Sequence, residues 1–190
     1  MKVSREQILD VARHHIARLG YSKISLTAIA ADLGVVKGAL YYHVPGGKRE
    51  ILDAVLEREE TRLLETMRDA ARSASEPVQA LRGAIRARID FMRRLVNTLD
   101  IPEPVLREIQ SVAFRNERGF YAKERELYQE VLSRGEEAGV FETAGRSDET
   151  ASLIQATVRD VLAREIYDEP DEKRLETLFG FLEGALGAAR

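Results

Sequence analysis

The stretch GVVKGALYYHVPGGK, residues 34–48, gathers two lysines, two tyrosines and a histidine between glycines. All five are hydrogen-bond donors. Lys37 and Lys48 carry positive charge, Tyr41 and Tyr42 donate O–H, and His43 donates N–H from at least one ring nitrogen. Donors at this density suit an acceptor-rich anion such as a phosphate backbone, and lysine can also donate to the groove acceptors of guanine. The rest of the chain offers little to an enzyme. It has no cysteine, which excludes thiol nucleophiles, disulfides and thiolate metal sites. No serine–histidine–acid set and no glycine-rich phosphate loop after a strand is recognisable. His14, His15 and His43 all lie in the first fifty residues, so only carboxylates remain elsewhere to hold a cation, and these bind hard cations weakly. No catalytic residue, metal or cofactor is expected.

Charge is distributed unevenly. The 190 residues carry a net charge of −3, yet the first fifty hold eight Lys or Arg against four acids, a net of +4 that leaves −7 for the remainder. A basic head on an acidic body suits a nucleic-acid partner for the head. The N-terminal MKVSREQILDVARHH is broken by charge and has no signal-type apolar core. No later stretch approaches the ~20 apolar residues of a membrane span. The expectation is a cytoplasmic protein with no membrane partner.

Positioning the donor cluster falls to helices. Apolar residues recur at helical spacing throughout, and no segment alternates as a half-buried strand would, so the chain reads as all-α with about nine helices. Ser4 with Gln7 forms a capping-box pattern for a first helix that Gly20 ends. Ser25 caps a second, Leu26 to Leu33; the donor stretch supplies a third; and Lys48 opens a long fourth, to about Ser73. Pro77 suits the first turn of helix five, carried to about Leu99. A short sixth helix starts at DIPEPV, a seventh runs from about Ser111 to Ala138, Ser147 caps an eighth, and a ninth spans Asp171 to about Ala188. The expected domains are a helix-turn-helix head at 1–48 and a larger helical domain at 49–190.

Within residues 25–44 the requirements of a helix-turn-helix coincide. Ala30 is the small residue where two helices cross, Gly34 the turn able to take positive φ, and Ile29, Leu33, Val35 and Leu40 the apolar anchors. If the third helix enters a major groove, Lys37, Gly38 and Ala39 face bases. Tyr41, Tyr42, His43 and Lys48 then reach flanking phosphates, as Ser25 and Thr27 do from the second helix.

Residues 20–52, GYSKISLTAIAADLGVVKGALYYHVPGGKREIL, resemble the DNA-binding module of TetR-family transcriptional regulators. The resemblance is carried by Gly20-Tyr21, Ile29-Ala30, Gly34-Val35, Lys37-Gly38, Leu40-Tyr41, His43 and the lysine opening helix four. LSRGEEAGVFETAGRSDETASLI is similar to the family's join of helices seven and eight. Three positions depart from the pattern. Val36 stands where a capping serine or threonine is usual, Val44 where phenylalanine is, and Gly47 where serine is. The resemblance implies a ligand-responsive regulator, most often a repressor, that binds a palindromic double-stranded operator as a homodimer and is released by a small effector. The other reading is a helical interaction protein of the same fold with weak or lost DNA binding.

The larger domain has residues for both implied roles. On helix nine, Leu175, Leu178, Phe179, Leu182 and Leu186 share a side near Gly180, Gly184 and Gly187, a pattern that fits a dimer interface and core packing equally. On helix seven, Phe114, Phe120, Tyr121 and Tyr128 lie on an apolar arc with Glu117 and Glu124 near its middle. Helix five adds Phe91 and Met92 on an arc that contains Arg88. Buried charges need partners. An Arg88–glutamate pair tying the helices together is one resolution. The other is a pocket, lined by these nine residues, for a small lipophilic effector: cationic if Glu117 or Glu124 recognises it, acidic if Arg88 does.

Overall fold

A computed structural model describes residues 3–113, 119–167 and 171–188. The described residues form nine helices and no strand: α1 Arg5–Leu19, α2 Leu26–Asp32, α3 Lys37–His43, α4 Gly47–Arg72, α5 Pro77–Leu99, α6 Glu103–Ala113, α7 Phe120–Glu137, α8 Ser147–Glu165 and α9 Glu172–Ala185. No helix among them is long and apolar enough to cross a membrane. The chain divides into two compact units, residues 1–61 with 95–117, and residues 62–94 with 118–190. The head unit thus extends past the helix-turn-helix into the first half of α4 and all of α6.

Local chemistry accounts for most helix ends. At α1 the Ser4 hydroxyl accepts from Gln7 N while the Gln7 amide oxygen accepts from Ser4 N, so two otherwise orphaned donors are satisfied. Pro77 opens α5, where its missing N–H costs nothing. Gly34 holds φ +67° after α2, and Val35 N then donates to Ala30 O at 2.9 Å, turning the chain into α3. The head core is Ile8, Leu9, Ala12, Ile16, Ile29, Ala30, Leu40, Val44, Ile51 and Leu52, with Leu33 and Val35 packed against it. Val44 is fully buried.

One cap and two helix boundaries differ from the sequence reading. Ser25 sits at the N-cap of α2 with its carbonyl accepting from Ile29 N, but its hydroxyl makes no capping bond. Ser147 lies inside α8 rather than before it. Arg146 occupies the N-cap, and Asp148 and Glu149 complement the helix dipole in place of a hydroxyl cap. The seventh helix starts at Phe120, not near Ser111: α6 runs on to Ala113 because Leu106, Ile109 and Val112, three apart, keep an apolar side on the head, and Gly119 then caps α7.

In the second unit, Leu81, Ile85 and Ile89 of α5 and Leu127, Val131 and Leu132 of α7 are buried with Ile154, Val158 and Leu162 of α8. Across α5 and α9, Arg82 pairs with Glu176 and Glu183, and Arg86 with Glu172. α7 and α8 pack closely. Gly135 allows their join, since a Cβ there would overlap the buried Phe141 ring.

Candidate nucleic-acid interface

The donors of the opening stretch are held by three short elements. α2 and α3 pack together, and α3 exposes Lys37, Gly38, Tyr41 and Tyr42 while sinking Leu40 into the core. Lys37 and Tyr41, four residues apart, share a face, with the Lys37 ammonium 5.9 Å from the Tyr41 ring centroid. Tyr42 is 83% exposed and meets the His43 ring edge-on at 5.1 Å. Ala39 and His43 are partly covered, and Ser25 and Thr27 are exposed on α2. Space around Gly38 is open, so a partner's backbone can approach the helix closely there.

The N-terminal end of α3 carries Val36, 76% exposed, with no side-chain cap; its carbonyl accepts from Ala39 N. An exposed valine at this place offers methyl groups where a hydroxyl would offer a donor.

Lys48 does more inside the head than its sequence position implied. Its ammonium donates to Ser22 O at 2.9 Å and lies 4.6 Å from the centroid of the Tyr21 ring. An ammonium has three hydrogens, so further donation is open to it. At the start of α4 a carboxylate already takes a backbone donor: Glu50 accepts from Gly46 N at 2.8 Å. Ser22 is also fixed from α6, where the Glu108 carboxylate accepts from both its N–H, at 2.8 Å, and its hydroxyl. Those bonds hold the Glu108 carboxyl below the usual carboxylate range. The Ser22 hydroxyl is the main cause, partial desolvation opposes it, and the Ser22 amide, Lys48 and Lys23 add to it. His15 ties α1 to α2 through Asp32 at 2.7 Å. Glu108 was missed in the sequence because nothing local links it to Ser22.

Four of the pocket candidates come together in the second unit. Phe120, Glu124 and Tyr128 follow one another at four-residue steps on α7 and face Arg88 of α5. Arg88 Nε donates to Glu124 Oε1 at 2.8 Å, with the side chains only 7% and 3% exposed. The guanidinium lies 4.7 Å from the Phe120 ring centroid. Gln155 of α8, unremarked in the sequence, donates to Glu124 Oε2 at 2.9 Å and to Tyr121 O at 2.7 Å. Arg88 Nη1 and Tyr128 Oη are buried and meet no protein acceptor. Burial holds the Tyr128 phenol well above its usual range, the Glu124 charge adding to the shift and Arg88 opposing it. Phe91, Met92 and Tyr121 are half-buried; Phe114 and Glu117 lie outside the described residues.

Leu175, Leu178, Phe179, Leu182 and Leu186 are all buried within the protomer, because they form the apolar side that packs into their own unit. The outward side of α9 carries Thr177, Gly180, Phe181 and Gly184, with Phe181 65% exposed and open space beside both glycines. α8 exposes Leu153 at 69% together with Ala156.

Residues 8–55 match the family described as bacterial regulatory proteins, tetR family. The HTH-type transcriptional regulator LmrA of Bacillus subtilis is 32% identical over 84 residues, covering 44% of this chain and 44% of that protein. The chain therefore spans less than half of that relative's length in the match. The transcriptional repressor KstR2 of Mycobacterium tuberculosis is 24% identical over 159 residues, 82% of this chain and 76% of that one. Among solved structures, SmeT, the repressor of the Stenotrophomonas maltophilia multidrug efflux pump SmeDEF, shares the fold at a TM-score of 0.71 and 23% identity, covering 97% of this chain and 90% of that one. The KstR2 structure does so at 0.63 and 21%, covering 98% and 95%.

Proposed function

We propose that this chain is a ligand-responsive repressor of the TetR family, whose DNA-binding model its residues 8–55 match. It binds a palindromic operator as a homodimer and is released by a small lipophilic effector. The observation that carries the reading is α3 itself: a short helix seated by buried Leu40 and Val44, with Lys37, Gly38, Tyr41 and Tyr42 turned outward. In this reading Lys37, Gly38 and Ala39 approach base edges in the major groove, and Tyr41, Tyr42, His43, Lys48, Ser25 and Thr27 hold the phosphates. Dimerisation is assigned to the outward faces of α8 and α9, where Leu153 and Phe181 are exposed and small neighbours allow close approach. The effector is assigned to the second unit, around Arg88, Phe120, Glu124 and Tyr128. The repressor names of KstR2 and SmeT support the direction of control.

The test is titration of the full chain against duplex DNA from upstream of its own gene at several salt concentrations. Affinity is expected to fall with salt, with a slope of about −0.9 per phosphate neutralised. Tyr42→Ala weakens binding to all sequences alike, whereas Lys37→Ala relaxes preference at one base pair by about 1–3 kcal/mol. Absence of salt-sensitive binding refutes the reading. The exposed Val36 favours a second one, a helical interaction protein of the same fold with weak or lost DNA binding; retained dimerisation without DNA binding would select it.

A further inference from the structure

The buried polar cluster of the second unit has an unbalanced hydrogen-bond inventory. Both oxygens of Glu124 are engaged, Oε1 by Arg88 Nε and Oε2 by Gln155 Nε2. Among the described residues, what remains unsatisfied is the Arg88 Nη1 donor and the Tyr128 hydroxyl, each buried without a hydrogen-bond partner. Buried polar groups in native proteins are almost always paired, and two unpaired donors on one cluster call for lone pairs supplied from outside the chain.

Charge narrows the class. Arg88 and Glu124 form a pair at 2.8 Å, 7% and 3% exposed, so the cluster is already neutral. An anion joining it would leave one negative charge without compensation, and a cation one positive charge beside the Arg88 guanidinium; either costs heavily at this burial. An uncharged oxygen acceptor carries no such penalty, and a carbonyl oxygen has two lone pairs, enough for both donors. The neighbouring positions are apolar: Ile85 and Ile89 on α5, Phe120 and Leu127 on α7, all buried.

We propose that this cluster is the recognition point for an uncharged lipophile bearing a ketone, ester or lactone carbonyl, whose oxygen accepts from Arg88 Nη1 and Tyr128 Oη. This rests on reading the chain as effector-responsive, and it replaces both the cationic and the acidic effector suggested by the isolated charges. Glu124 orients Arg88, with Gln155 holding Glu124 in turn, while Arg88 and Tyr128 touch the ligand.

Four probes of matched chain length test it on the full chain: 2-undecanone, undecanoate, undecylammonium and undecane, by calorimetric titration and by the shift of Tm. The ketone is expected to bind tightest. Tyr128→Phe, which removes one donor and keeps the ring, is expected to lower ketone affinity about tenfold, the cost of one hydrogen bond, while leaving undecane unchanged. The same variant is expected to change the Tm of the unliganded protein little, because the Arg88–Glu124 and Gln155–Glu124 bonds remain. Tighter binding of undecanoate or undecylammonium overturns the proposal. So does an unchanged ketone-to-undecane ratio in Tyr128→Phe, or binding by none of the four. Salt-dependent DNA binding by the unliganded chain is measured alongside: if it holds while the probes fail, only the effector class falls, and if it fails, the regulator reading falls.

Discussion

Replacing Arg88 by methionine removes the donor to Glu124 Oε1 and leaves a carboxylate that is 3% exposed held by Gln155 alone. Breaking a buried pair in this way costs about 3–5 kcal/mol, because one charge stays behind without its partner. For a chain of this size that corresponds to roughly 6–20 °C in Tm. The converse variant, Glu124→Leu, strands the guanidinium instead, but Arg88 keeps the Phe120 ring at 4.7 Å. That contact offsets about 1 kcal/mol, so the loss is expected to be smaller. The double variant has no stranded charge and keeps the side-chain volume nearly constant. It is expected within about 1.5 kcal/mol of the parent, giving a coupling of at least ~3 kcal/mol. Urea unfolding followed by far-ultraviolet circular dichroism at one fixed protomer concentration measures all four corners of the cycle. A coupling below about 1 kcal/mol, the range of a surface pair, would refute the description of this pair as desolvated.

Other perturbations probe other elements. Phe181→Glu, on the outward side of α9, is expected to abolish the proposed dimer while leaving the protomer helical, whereas Leu178→Glu places a charge in the core and unfolds it. Light scattering with circular dichroism separates the outcomes, and a Phe181→Glu dimer would remove that face from the interface. Gly135→Ala drives a Cβ into the Phe141 ring. Its overpacking cost of about 1–3 kcal/mol outweighs the gain of ~1 kcal/mol from alanine's helix propensity, and Phe141→Leu in the same chain should relieve it; a stabilised single variant contradicts this. Glu108, whose carboxyl is held low by Ser22, contributes stability that is fully present above the unfolded carboxylate pKa of about 4.3 and lost as pH falls through its depressed folded value. The Tm gap between the parent and Glu108→Gln is therefore expected to close on acidification, and a gap independent of pH would remove the role assigned to that bond.

Much of this molecule was legible because it is local. The Ser4–Gln7 capping box, Pro77 at the start of α5, and Gly34 between α2 and α3 act on backbone groups within a few residues, so their spacing alone placed the helices and the donor-rich face of α3. Elsewhere the local signals are ambiguous. A serine before a helix can cap or not depending on its rotamer, as Ser25 shows. Apolar periodicity did not reveal that α6 extends to Ala113, since its stripe is satisfied by the head packed against it. On α9 the leucine stripe announced a buried side without saying whether its own unit or a second copy does the burying.

The sequence by itself determined the helical class, the helix-turn-helix and the set of charges that burial would force into partnership. Only the tertiary structure decided which partnership. Arg88 needed an acceptor under either reading, but that Glu124 supplies it, that Gln155 takes the second oxygen, and that Arg88 Nη1 and Tyr128 Oη are left as donors depend on three helices distant in sequence. Periodicity fixes the direction in which a side chain points from its own helix. The atom it meets is set by the helix on the other side.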